Sequence, residues 1–119
     1  MTIVDYGMCN LLNVARAFEH CGAQVTVTED PKAVAVASRL VVPGVGAFSD
    51  SMKEVNERGF GDELKAFALT SRPMFGICVG MQMLFDVSEE FGEHHGLGIL
   101  PGRVQPVPSL TQDGKQIGR

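Results

Sequence analysis

Short β-branched runs alternate with helical stripes along the first ninety residues, and that alternation leaves few folds open. TIVDY (2–6) reads as a buried strand and AQVTVT (23–28) alternates as a second. Between them, NLLNVARAFEHCG (10–22) places apolar side chains at 11, 12, 14, 15, 17 and 18, a helical stripe with Asn10 as N-cap and Gly22 as the glycine after its end. EDP (29–31) turns the chain into a short helix over 31–37. RLVVPG (39–44) is a third buried strand running into a glycine-rich loop, GVGAF. Helical patches near 49–58 and 61–70 are separated by GFG, a fourth strand is expected over 74–78, and a helix over 80–87. Strand and helix joined by short connections are the mark of parallel βαβ units, so the expected fold is α/β: a doubly wound, mostly parallel, flavodoxin-like sheet with helices on both faces.

Beyond residue 88 the pattern weakens. SEEFGEHHGLG reads as an acidic loop, ILPGRVQPV as one or two extended pieces, and SLTQDGKQIGR as a polar tail with an Asp-Gly turn. A parallel sheet needs both faces covered and its outer strands protected. Residues 1–119 are therefore expected to be one domain truncated at its C-terminal side, prone to aggregate alone or dependent on a partner.

Composition excludes several classes of function. The net charge is −4 and the ten Lys and Arg are scattered singly, so no basic stripe is present to neutralise nucleic-acid phosphates. No apolar run approaches the ~20 residues that span a bilayer, and MTIVDYG lacks the basic start of a secretory signal. Cys9, Cys21 and Cys78 are odd in number and show no metal-ligand spacing, which points to a reduced, cytoplasmic compartment and to neither metal nor cofactor.

The chemistry concentrates in PMFGICVGMQMLF (73–85). Gly76-Ile77-Cys78-Val79-Gly80 has the spacing of a nucleophile elbow, in which a strained turn lifts the nucleophile and glycines two residues to either side let backbone approach closely. Cys78 would project from the carboxyl end of a central strand, above the crevice where α/β sheets bind ligands. The following helix would aim its N-terminus and free amides, beginning with Val79, at a developing oxyanion. The bland alternative is a small buried cysteine on a core strand. PGVGAF (43–48), at the end of the preceding strand, should reach the same crevice edge, with the amides of Gly44, Val45 and Gly46 facing a ligand. By itself that loop is also compatible with an ordinary tight turn.

GICVGMQ resembles the nucleophile turn of the class I, triad-type glutamine amidotransferases, usually G-[IV]-C-x-G-[MH]-Q. IVDYGMCNLLNV, LVVPGVGAF and GLGILPGRV narrow the resemblance to the glutaminase subunits of imidazole glycerol phosphate synthases, from histidine biosynthesis, in the same order and spacing through nearly the whole chain. The resemblance implies hydrolysis of glutamine to glutamate, with ammonia passed to a (β/α)8-barrel cyclase as heterodimer partner. It implies Cys78 as the nucleophile that forms a γ-glutamyl thioester, Val79 and the loop Gly44, Val45, Gly46 as oxyanion donors, and Gln82 with Gly46 as substrate-binding positions. The thiolate attacks the carboxamide carbon after a base removes its proton.

Two features depart from that pattern. The family's His and Glu lie near the C-terminus of a chain of about 200 residues in that resemblance, beyond Arg119. His20, at the end of the first helix, reads as structural. His94 and His95 read as solvated loop residues; Glu93 beside them would make a His–Glu pair, but a helix over 80–87 would carry it away from Cys78. Cys9 stands where the family usually has glycine. If that position needs positive φ, a cysteine there costs something like 1 kcal/mol, and it is expected near enough to Cys78 for joint oxidation. Two other readings compete: an elbow-cysteine protein of redox defence or glyoxal removal that would use Asp5, and a truncated paralogue that only docks to a partner.

Overall fold

The computed structural model describes residues 1–8 and 10–108; Cys9, and with it the expected pairing to Cys78, lies outside the described residues, as does the polar tail. Four strands, β1 (Thr2–Val4), β2 (Thr26–Thr28), β3 (Leu40–Val42) and β4 (Met74–Gly76), form one parallel sheet in the order β2-β1-β3-β4. The helices α1 (Leu11–His20), α2 (Lys32–Val36), α3 (Phe48–Glu57) and α4 (Phe60–Ala68) supply the crossovers. The expected doubly wound α/β architecture is what the chain adopts.

The alternation of the strands sorts residues between two faces. Val4, Leu40 and Val42 join Val34 of α2, Phe48, Met52 and Val55 of α3, and Phe60, Leu64 and Phe67 of α4 in one apolar core. On the opposite face, cross-strand register aligns Val27, Ile3, Val41 and Phe75 in a row. Here α1 packs more loosely. None of its residues is fully buried, and Phe18 meets Phe75 edge-on with ring centroids 6.1 Å apart. Ile3 and Val41 in the middle of the row are buried, whereas Val27 and Phe75 at its ends are 42% and 57% exposed.

Helix ends follow local rules in part. Asn10 makes no side-chain cap hydrogen bond, so the expected cap at the start of α1 is not used. At the other end Gly22 takes φ +94, and the amides of Gly22 and Ala23 reach the carbonyls of Glu19 and Phe18 at 2.9 and 3.1 Å. This crossed pair is the Schellman closure that a glycine after a helix permits.

Arg72 ends α2 from a distance. Its guanidinium donates to the carbonyls of Ala37 and Ala35, its Nε to Thr70 Oγ1, and it lies 4.7 Å from the Phe67 ring centroid. A planar fork suits this double duty and an ammonium does not. Arg72→Ala is expected to lower stability by about 1–2 kcal/mol in urea unfolding, with Arg72→Lys recovering little of it.

The sequence expectation fails after the elbow. Instead of a helix over 80–87, α5 spans only Val79–Gln82, and the chain re-enters extended structure as β5 (Phe85–Ser88). β5 pairs antiparallel with β6 (His94–His95) and parallel with β7 (Leu100–Val104), forming a second sheet in the order β6-β5-β7. The cause is non-local. The carbonyls of Met83, Leu84 and Phe85, which a longer helix would have consumed, accept amides from Leu97, Ile99, Leu100 and Gly98 at 2.7–3.1 Å. Most of SEEFGEHHGLG is thus a hairpin on this second sheet, and not a free acidic loop.

Candidate active site

Cys78 follows β4 and precedes α5, with φ +55 and ψ −123. That is a backbone conformation L-residues seldom adopt, held only where the surroundings over-determine it. Two neighbours do so. A Cβ on Gly76 would lie 2.6 Å from Met81 Cα, and one on Gly80 would overlap the Val42 carbonyl oxygen and lie 2.9 Å from the Pro43 carbonyl carbon. The same Val42 oxygen accepts the Ile77 amide at 3.0 Å, so the turn is pinned to β3 on its approach to Cys78. The result is an exposed thiol on a rigid turn.

The loop after β3 packs directly against this turn. Gly44 is buried, and a Cβ there would lie 2.7 Å from the Gly80 amide nitrogen and 3.2 Å from Val79 Cβ. Tyr6, fully buried, donates its hydroxyl to the Pro43 carbonyl at 2.5 Å and fixes the loop from the β1 side. Gly46, at φ +87, faces the Met8 methyl, 3.5 Å from where a Cβ would stand. Gln82 lies one turn beyond Cys78, its amide donating to the Cys78 carbonyl at 3.1 Å. It lines a cleft of about 210 Å³ with Glu90, Val104, Gln105 and Pro106.

Among the described residues the amides of Val79, Gly44 and Gly46 have no backbone acceptor. The Val45 amide differs from expectation: it donates to the Met8 carbonyl at 3.0 Å, because the loops after β1 and β3 run side by side. In this arrangement Val45 is not an open oxyanion donor. The dipole argument is also weaker than expected, since α5 has only four residues; the individual amides at its start carry the electrostatics.

The histidines belong to other elements, His20 to α1 and His94 and His95 to β6. His20 is in the last turn of α1, and the His94 ring sits on the Phe91 carbonyl at 3.0 Å. Glu93 is joined to Arg103 at 3.1 Å, not to a histidine, and with Glu89 it raises the pKa of Arg103. Asp5, which the redox reading would need, accepts the Gly7 amide at 3.0 Å. Among the described residues no group of His, Cys, Asp and Glu is arranged to hold a metal ion. Glu90 was missed by sequence reasoning. It lies in an acidic stretch with no spacing to distinguish it, and only the folded hairpin brings it beside Gln82.

Among the described residues β4 is the edge strand of the first sheet, not the central one that the sequence led us to expect. A thiol held at positive φ after a parallel strand, with open amides around it, defines an α/β protein of the nucleophile-elbow class. The family model described as "Glutamine amidotransferase class-I" matches residues 2–116, and the chain belongs to that family. It is 48% identical over 115 residues to "Imidazole glycerol phosphate synthase subunit HisH 1" of Legionella pneumophila (strain Lens), covering 97% of this chain and 54% of that protein. With "Imidazole glycerol phosphate synthase subunit HisH" of Syntrophotalea carbinolica the identity is 46% over 117 residues, covering 98% and 57%. The chain thus spans about half the length of these curated relatives. A structure titled "Crystal structure of glutamine amidotransferase" superposes with a TM-score of 0.72 at 21% identity, covering 86% of this chain and 54% of that one, a likeness of fold.

Proposed function

We propose that these residues form the nucleophile-bearing region of the glutaminase subunit of an imidazole glycerol phosphate synthase, in the cytoplasm. The observation that carries the reading is Cys78 at φ +55, wedged between glycines whose places β3 and α5 occupy. In this reading the Cys78 thiolate adds to the carboxamide carbon of glutamine. The tetrahedral oxyanion is received by the amides of Val79, Gly44 and Gly46. Gln82 and Gly46 hold the amino-acid portion of the substrate. Collapse breaks the C–N bond, the nitrogen takes a proton and leaves as ammonia, and a thioester remains. Water then cleaves the thioester, releasing glutamate and regenerating the thiol. The histidine and glutamate that move these protons in the family pattern lie outside residues 1–119. Ammonia passes to the (β/α)8-barrel cyclase as heterodimer partner. No cofactor or metal takes part in the scheme.

The test compares two exposed thiols of one molecule, Cys78 and Cys21. A chloroketone analogue of glutamine is expected to alkylate Cys78 at least about tenfold faster than Cys21, because activation and oxyanion-type contacts act only at the elbow. Peptide mapping by mass spectrometry reads the ratio. Equal labelling would remove the basis for the elbow reading.

A further inference from the structure

Tyr6 stands just past β1 and is fully buried, yet a phenylalanine would fill that volume as well. What the tyrosine adds is a hydroxyl, and a buried hydroxyl needs a partner. It donates to the Pro43 carbonyl at 2.5 Å, across 37 residues of sequence. The backbone on either side of Tyr6 is firm: the Asp5 amide donates to the Thr28 carbonyl at 2.8 Å, and the Gly7 amide to Asp5 Oδ1 at 3.0 Å. The bond to Pro43 holds more than one atom. The Pro43 carbonyl and the Gly44 amide are the two ends of one planar trans peptide, so tethering the oxygen fixes the plane of the whole unit.

That unit rests on the elbow. The φ +55 and ψ −123 of Cys78 are those of the first central residue of a type II′ turn, a place that favours glycine. The turn is closed by the Gly80 amide, which donates to the Ile77 carbonyl at 2.9 Å. A Cβ on Gly44 would collide with the Tyr6 hydroxyl and would lie 2.7 Å from that same Gly80 nitrogen. The hydroxyl and the turn-closing amide therefore crowd one flank of Gly44. We propose that Tyr6 is a positioning residue: by tethering Pro43 it keeps Gly44 pressed on the bond between Ile77 and Gly80, and so keeps Cys78 in its strained conformation. The inference rests on the glutaminase reading above and adds to it a side chain from the end of β1, outside the elbow and its loop.

Tyr6→Phe in the full-length protein keeps the ring and removes the tether. It is expected to lower kcat for glutamine hydrolysis about tenfold with KM within about twofold, as misalignment of a nucleophile should. Amide exchange, which needs no turnover, separates positioning from core packing. Exchange at Gly80 is expected to accelerate about tenfold. The Leu40 amide, which bonds the Pro73 carbonyl at 3.0 Å where β3 meets β4, is expected to stay near wild type. Equal acceleration at Leu40, or a variant that does not fold, would make Tyr6 a core residue only and overturn the proposal. Unchanged exchange at Gly80, an unchanged kcat, or a loss carried by KM would overturn it as well. A wild-type protein that hydrolyses no glutamine, with the Gly80 difference still present, would refute the glutaminase reading and uphold the tether.

Discussion

Cys78→Gly is expected to make the protein more stable by about 1 kcal/mol while removing the thiol proposed above as nucleophile. The backbone at Cys78, φ +55 and ψ −123, is one that glycine adopts freely and an L-residue does not. Holding a side chain there costs on the order of 1–3 kcal/mol, and glycine returns about 0.5–1 kcal/mol of that through its more disordered unfolded state. The reference is Cys78→Ala, which loses the sulfur but keeps the strain. Urea unfolding of the two variants should place the glycine protein at the higher midpoint with the same slope. A glycine variant less stable than the alanine one would show that the turn is not strained. Should the expected order appear, the site is a place where stability is given up to aim a thiol.

Gly80→Ala is expected to have the largest effect on folding, a loss of about 3 kcal/mol or more, or no folded protein. Gly80 does not have positive φ, so the cost has nothing to do with glycine's backbone freedom. It is purely steric: the added methyl would take the position of the Val42 carbonyl oxygen and crowd the Val42 carbonyl carbon at 2.7 Å. Relief would require moving β3 away from the elbow and breaking the Ile77 to Val42 hydrogen bond. Gly22→Ala is the matched contrast. Nothing lies within 4 Å of a Cβ there, but φ is +94, so only the conformational penalty of about 1 kcal/mol applies. Thermal and urea melts of both variants should separate the two costs. A mild Gly80→Ala phenotype would mean that the elbow and β3 can part cheaply.

The elbow was legible from sequence because its requirements are local. A strained turn needs small residues two positions before and after the nucleophile, and Gly76 and Gly80 stand in the text at that spacing. The four parallel strands and the helices between them were legible for the same reason, through the periods of their apolar residues. MQMLFDVS was not. Its apolar positions satisfy a helical stripe as well as a strand, and the choice was made by amides from residues 97–100 that bond the carbonyls of 83–85. The hydrogen bond from the Phe48 amide to the Glu90 carboxylate was hidden in the same way, since the two residues are 42 apart in sequence. The loop around Val45 shows a third kind of gap. Its composition announced a tight turn with spare amides, but which amide was spare depended on the neighbouring Met8 carbonyl.

The interlocking of Gly44 with Gly80, and of Gly80 with Val42, also bears on any attempt to transplant the chemistry. GICVG grafted onto another parallel sheet would import the cysteine without its socket. The socket belongs to the adjoining strand: a carbonyl presented where the second glycine must sit, and a glycine loop above it thin enough to touch the turn. A portable unit would therefore comprise two neighbouring strand ends with both of their loops, in register. The smallest heritable piece of this site is a pair of strands, and a five-residue motif is only its visible half.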